Sequence, residues 1–463
     1  MKARESNGQM TVKSFFLSSA FWMVMGTLAG LTGAVELIAP DLLGNVPWLV
    51  FGRLRQAHTN MVMFGFVGSA LLGAAHFLVP RLLRTQLHSE RIGLFCVVLW
   101  DLAIGVGVAA LAMGYTQNRE YAEFIWPVDV AILIVLLGIF YNLLMTVRKR
   151  GENLLYVSVW YVMGALIFTF LSYFFGNAVW APQTGSIWGM PDAILAWFYG
   201  HNILGFFFTP LAVAVAYYVI PIVTGRPLYS HTLSLVGFWS LLLLYSHIGT
   251  HHLLQAPAPT WLKVVAITGS IGMLVPVMTV LINLWLTMKG RISVIHTDIG
   301  GKFVFAGTVW YLFTCLQGPL QSLPYIQKVT HFTNWVVAHA HMGVLGFAGM
   351  TALGGIYFML PRITGRPIYS ETLADIQYWL VLTGMTGFFG ILTAAGLVQG
   401  HAWLNGEVVY RVLPQLHPYM VARAASGIFI VAGALVGLYN IVMSLREARS
   451  NVGSGDLTGQ EGP

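Results

Sequence analysis

The sequence predicts an all-α integral membrane protein of twelve transmembrane helices, arranged as three pseudo-repeats of four. Three observations carry this prediction. Only 9% of the 463 residues are charged while 57% are hydrophobic, giving a mean hydropathy of +0.73, whereas soluble domains carry about 25% charged residues. Apolar runs of about 20 residues, long enough to cross a bilayer, recur along the chain. A ten-residue segment, TGRPLYSHTL at 224–233, returns almost unchanged as TGRPIYSETL at 364–373.

The first apolar run, 14–38, follows a basic start (Lys2, Arg4, Lys13) and is long enough to span, so it reads as a retained helix and not as a cleavable signal. Further spans are expected at 56–80, 92–114, 126–147, 155–176, 193–222, 232–254, 263–288, 302–323, 335–360, 376–398 and 420–445. An even number puts both termini on one side. With the N-terminus inside, the inner segments hold most of the 24 Lys and Arg, so the positive-inside rule assigns both termini to the cytoplasm. Residues 1–446 thus read as one membrane domain, and the polar, glycine-containing stretch 447–463 as a disordered cytoplasmic tail. The net charge of +7 follows from this topology and calls for no nucleic-acid partner. Cys96 and Cys315 both lie in apolar stretches without a C-x-x-C or C-x-x-C-H pattern, which leaves disulfides, thiolate metal sites and covalent c-type haem without support.

The repeat extends beyond its motif. Each copy follows an apolar pair and a proline, Val219-Ile220-Pro221 and Met359-Leu360-Pro361, and a fainter third copy ends at Leu78-Val79-Pro80. His58 and His339 lie 22 residues before their prolines; His201 and His341 lie 20 before theirs. A helix-ending turn explains the motif but not histidines at matched offsets. In the expected topology spans 2, 6 and 10 enter from outside with these four histidines in their first turns. Span 7 leaves outward with His251 and His252 in its last turn. Six histidines therefore converge on the outer third of the membrane, where an ionisable residue marks a functional site by default, and repeat interfaces are where such sites form.

Imidazole suits iron, copper and zinc, and haem iron takes one or two axial ligands. His339 and His341 diverge by roughly 200° on one helix and address two different centres. His251 and His252 diverge by roughly 100°, so one ion can take both only where the backbone leaves the regular helix. A third ligand from another helix, for which His201 is the candidate, would complete a three-histidine site with an open position. His58 and one member of the 339/341 pair would close a six-coordinate haem, and the other member would hold a five-coordinate haem facing the metal.

AHTN (57–60), WFYGHN (197–202), YSHIGTHH (245–252) and AHAHMG (338–343) resemble the ligand motifs of haem–copper oxidase subunit I, closest to the C-type (cbb-type) cytochrome c oxidases. The likeness continues through WLVFGRLRQAHTN (48–60), EYAEFIWPVDVAI (120–132) and RPLYSHTLSLVGFW (226–239). It implies the twelve-helix subunit I fold in a bacterial cell membrane, with two b haems and one copper ion. His58 and His341 would hold the low-spin haem, His339 the high-spin haem, and His201, His251 and His252 the copper. The resemblance further implies that Tyr245 is cross-linked to His201 and supplies an electron and a proton, and that Glu120 binds calcium, an ion suited to hard oxygen ligands. It places Arg53, Arg55 and His331 near the haem propionates. Electrons would come from membrane-anchored c-type cytochrome subunits, with O2 as substrate and protons translocated. Ser234, Ser240 and Tyr245 form a polar track up span 7, equally readable as serines bonded to their own helix. Asp101 and His247 have no assigned place.

One position departs from the pattern: TCLQGPLQS carries Gln317 where C-type oxidases carry a glutamate expected to bond the proximal histidine, here His339. An amide keeps the acceptor but removes the charge that makes the imidazole more basic, so the high-spin haem is expected at a more positive potential. The competing reading within the superfamily is a nitric oxide reductase with non-haem iron in the three-histidine site. Those enzymes carry glutamates on span 6, where this chain has Gly205 and Thr209, and they need no tyrosine equivalent to Tyr245. A transporter would fit twelve spans and repeats but would not need six histidines at one depth.

Overall fold

The computed structural model describes residues 9–450, apart from 118, 178 and 182–186. Most of the expected tail, 451–463, lies outside the described residues. The chain forms α1 (Gln9–Glu36), α2 (Phe51–Leu82), α3 (Glu90–Met113), α4 (Trp126–Arg148), α5 (Val157–Gly176), α6 (Met190–Thr224), α7 (His231–Tyr245), α8 (Thr260–Met288), α9 (Ile299–Gln321), α10 (Asn334–Thr364), α11 (Glu371–Leu404) and α12 (Val409–Arg446). No strand occurs among the described residues. The protein is a multi-pass membrane protein: 11 of these helices are long and apolar enough to cross a bilayer. On α3, Phe95, Val98, Leu102 and Val106 are all exposed at helical spacing, a face suited to lipid and not to water.

The exception is α7. The span expected over 232–254 is a regular helix only as far as Tyr245, and a 3₁₀ turn, Ile248–Leu253, carries the histidine doublet, a departure from regular helix of the kind that two adjacent ligands to one ion require.

The three repeats are built on one hydrogen-bond pattern. Ser89, Ser230 and Ser370 each cap the third helix of a repeat, accepting from the backbone N–H three residues on. Each capping serine is gripped by an asparagine of the following helix. Asn142, Asn283 and Asn440 accept from the serine N–H and donate to its carbonyl at 2.8–3.0 Å. Thr146, Thr287 and Ser444, four residues later, accept from the N–H of the residue before the serine. The second helices end alike as well. Gly225 and Gly365 take φ of +63° and +73° four residues past Pro221 and Pro361, while the first repeat forces Arg84 to +48° at the equivalent place. That missing glycine is why the first copy is faint in sequence.

The second helices α2, α6 and α10 form the buried centre of the bundle. Each contains a π-helical stretch just after its histidines: Met61–Gly68, Ile203–Phe208 and Met342–Gly349. Such widened turns are costly and gather at functional sites. Here they re-aim the outer, histidine-bearing segment relative to the packed inner half.

Candidate metal centre

His201, His251 and His252 come together: one ring nitrogen from each lies within 4.8 Å of the others. Ring centroids are 4.6 Å apart for His201–His251, 4.4 Å for His251–His252 and 5.5 Å for His201–His252. His201 Nδ1 is buried with no hydrogen-bond partner, an unusual cost for a buried polar atom that a metal ligand would resolve. His251 Nδ1 lies 2.6 Å from Ser270 Oγ, and that hydroxyl donates to Ala266 O at 2.7 Å. With the serine proton so engaged, Nδ1 of His251 must be the donor, which leaves the Nε2 lone pair free to ligate. Trp197 stacks on His252 at 3.9 Å and 9°, and Gln327 Nε2 donates to His251 O at 2.6 Å, so the 3₁₀ turn is held from both sides. The donor set fits a copper-type or other imidazole-loving ion.

Tyr245, the last residue of α7, places its ring 4.5 Å from that of His201. It can do so because Gly205, one turn below His201, has no side chain. A Cβ there would come within 1.8 Å of Tyr245 Cε1. Tyr245 and an acidic residue at 205 are therefore mutually exclusive in this packing.

His339 lies within electrostatic reach of all three, and Gln317 Oε1 accepts from its Nδ1 at 3.0 Å. The far nitrogen of His339 is thereby left as a lone pair. On the other side of the same helix, His341 donates from Nδ1 to Val337 O at 2.8 Å, and His58 from Nδ1 to Gly26 O at 2.7 Å. The rings of His58 and His341 are 6.0 Å apart and 17° from parallel, too far for stacking contact. Two metal–nitrogen bonds of ~2 Å plus two ring radii come to about 6 Å. The pair borders a cavity of about 460 Å³ lined largely by apolar side chains, a size and character suited to a tetrapyrrole.

The remaining candidates divide. Arg55 and Glu120 both line this cavity and form an ion pair with each other. Arg53 turns away, donating to Ala112 O at 2.8 Å. His331 belongs to the three-histidine side, where its Nδ1 meets Gln255 Oε1 at 2.8 Å. Ser240 bonds Val236 O and Ser234 is taken up by Asn283, so the serines of α7 serve the helix and its clamp and form no continuous track. Asp101 accepts from Ser18 Oγ and Trp22 Nε1 at 2.5 and 3.0 Å, bracing α3 on α1. Among the described residues, the one hydrogen bond of His247 is to its neighbour Ser246 Oγ, at 3.2 Å. Sequence reasoning missed Trp197, Ser270, Arg423 and Glu123. Glu123 is buried in the loop before α4, where Asn60 Nδ2 donates to it at 3.0 Å, and burial pushes its carboxyl up to about 7. Only the two charged residues carried a sequence signal, an ionisable group within or beside an apolar span.

A helical membrane bundle with a three-histidine centre, a facing fourth histidine and a bis-histidine cavity defines a haem–metal oxidoreductase core. The family described as cytochrome c and quinol oxidase polypeptide I matches residues 10–429, and the chain belongs to it. It is 32% identical over 451 residues to the cbb3-type cytochrome c oxidase subunit CcoN1 of Stutzerimonas stutzeri, covering 95% of both chains. It is also 32% identical over 460 residues to a bacteroid cytochrome c oxidase subunit 1 homologue of Bradyrhizobium diazoefficiens, covering 96% of this chain and 83% of that one. A nitric oxide reductase chain of Stutzerimonas stutzeri is more distant, 27% identical over 469 residues at 93% and 94% coverage. The fold matches that of a haem–copper terminal oxidase dimer solved by cryo-EM, with a TM-score of 0.79 and 16% identity over 94% of this chain and 84% of that one. Within its family the chain is a subunit I of the cbb-type cytochrome c oxidase group.

Proposed function

We propose that this chain reduces O2 to water at a copper ion and a high-spin haem b, using electrons passed through a low-spin haem b from membrane-anchored c-type cytochromes, and translocates protons. His201, His251 and His252 would hold the copper, His339 the high-spin haem, and His58 with His341 the low-spin haem. When bound, these groups supply the redox chemistry and an open two-sided site for O2. The protein's own work is positional. Ser270 fixes the tautomer of His251, Gln317 that of His339, and backbone carbonyls those of His58 and His341, so each ring presents a lone pair without reorganisation. Tyr245 holds a phenolic proton beside His201, and the ring contact supports the covalent bond the family resemblance implies between them. Glu120 would give one carboxylate oxygen to calcium at the edge of the low-spin cavity, with Arg55 held beside it by their ion pair. The protein would sit in a bacterial cell membrane with both termini in the cytoplasm.

The observation that carries the oxidase reading over nitric oxide reduction is the Tyr245 ring occupying the space above Gly205. An acid cannot share it. In the purified complex, Tyr245→Phe should keep both haem spectra while O2 turnover falls at least a hundredfold. O2 turnover at the unmodified rate in that variant contradicts the reading, as does wild-type protein that consumes NO in preference to O2.

A further inference from the structure

The bis-histidine cavity contains a cation that neither the sequence motifs nor the site chemistry above uses. Arg423 lies in the outer half of α12 and lines the cavity together with His58, His341 and Arg55. Its Nε is enclosed and has no hydrogen-bond partner. None of the ion pairs among the described residues involves it, and the buried carboxylate Glu36 on the neighbouring α1 is in none of them either. Its guanidinium lies 5.5 Å over the ring of Phe388, which in turn packs 4.4 Å from His341. That ring contact is worth at most a fraction of what an enclosed guanidinium loses in desolvation.

Its depth is fixed by two close approaches. Gly427 meets Leu31 at 3.3 Å from its Cβ position, and Gly30 meets the His58 ring at 2.6 Å. Residue 427 is therefore level with His58. Arg423, four residues earlier on a helix entering from outside, sits one turn outward. Arg55 sits about one turn outward of His58 on α2. Two guanidinium-bearing residues from different helices thus line the outer part of one cavity. Arg55 is engaged by Glu120, whereas Arg423 is not engaged. A planar fork without a partner, enclosed at membrane depth, suits a carboxylate taken bidentately.

Building on the reading that this cavity holds a haem, we propose that the Arg423 guanidinium binds a carboxylate of the tetrapyrrole held by His58 and His341 and sets that haem's reduction potential. Neutralising the carboxylate favours the reduced haem, which carries one positive charge less than the oxidised form. Removing Arg423 should therefore make reduction harder.

The test is a spectroelectrochemical titration of the purified whole complex. Arg423→Gln should lower the reduction equilibrium constant of the low-spin haem at least tenfold, 59 mV for a one-electron couple, and leave the high-spin haem within threefold. Arg446→Gln, on the exposed inner end of the same helix, should change neither. Arg423→Lys keeps the charge but loses the fork, so its redox-difference infrared spectrum should show displaced carboxylate bands. This second variant carries the test where the glutamine variant does not assemble. An unchanged or raised low-spin potential in Arg423→Gln, or unchanged carboxylate bands in Arg423→Lys, overturns the proposal and leaves Arg423 as an interfacial anchor. A wild-type complex lacking a low-spin haem instead overturns the reading of the cavity itself.

Discussion

Replacing Gln317 by Glu is the perturbation whose size the structure lets us work out. The amide oxygen lies 3.0 Å from His339 Nδ1, so a carboxylate there places a negative charge about 7 Å from whatever the far ring nitrogen holds. At an effective dielectric of about 20, a unit charge at 7 Å contributes about 2.4 kcal/mol. For a one-electron couple this corresponds to about 100 mV, taking 59 mV per tenfold change. The sign is fixed: a negative charge favours the oxidised, more positive haem, so the high-spin potential should fall. A redox titration of Gln317→Glu, following the high-spin haem in the whole complex, should find a shift of about −100 mV with the low-spin haem little changed. A shift smaller than about 30 mV, or one of opposite sign, refutes the argument that residue 317 tunes His339 through its charge.

Other consequences are testable with less elaborate means. Gly205→Ala puts a Cβ within 1.8 Å of the Tyr245 ring and must displace it; an overpacked core site costs about 1–3 kcal/mol, and O2 turnover should drop more than tenfold while haem content stays intact. Asn440→Ala removes the two bonds that Asn440 makes to the Ser370 backbone and leaves the Ser370 N–H unpaired; an unmade buried bond costs about 1–3 kcal/mol, so the thermal midpoint should fall while turnover per haem holds, and an unchanged midpoint counts against the clamp. Glu123 has its carboxyl raised from 4.5 to about 7, so the folded state binds the proton more tightly than the unfolded one. Its contribution is complete below about pH 4.5 and is lost as pH rises toward 7; Glu123→Gln should flatten thermal stability over that window, and a profile identical to wild type removes Glu123 as the cause.

What could be read from the sequence was set by how far each feature depends on chemistry alone. The six histidines stand out because a polar ring in an apolar helix is costly wherever the helix goes; matched offsets from Pro80, Pro221 and Pro361 fixed the common depth of four of them, and the topology of span 7 that of His251 and His252. The doublet at 251–252 even announced that α7 must break, though not that it would stop at Tyr245. Three-dimensional packing hid the rest. Ser270 is an ordinary helix serine until Ala266 O takes its proton. Gly205 is one glycine among 50 until the Tyr245 ring fills its place. The π-helical stretches leave no hydrophobic period of their own to read. Arg53 and Arg55, two residues apart, look equivalent in sequence, but only Arg55 lines the cavity, because neighbours at that spacing face opposite sides of a helix. The first repeat was faint because Arg84 stands where the others have glycine, while its Ser89–Asn142 clamp is intact.

The central claim is that the three-histidine centre holds copper beside two haems. Elemental and pyridine-haemochrome analysis of the purified complex tests it most directly, with His252→Asn as the matched control. The account predicts one copper for every two b haems in the wild type, no non-haem iron, and loss of the copper with both haems retained in the variant. Non-haem iron in place of copper, or copper that survives removal of His252 unchanged, would contradict it.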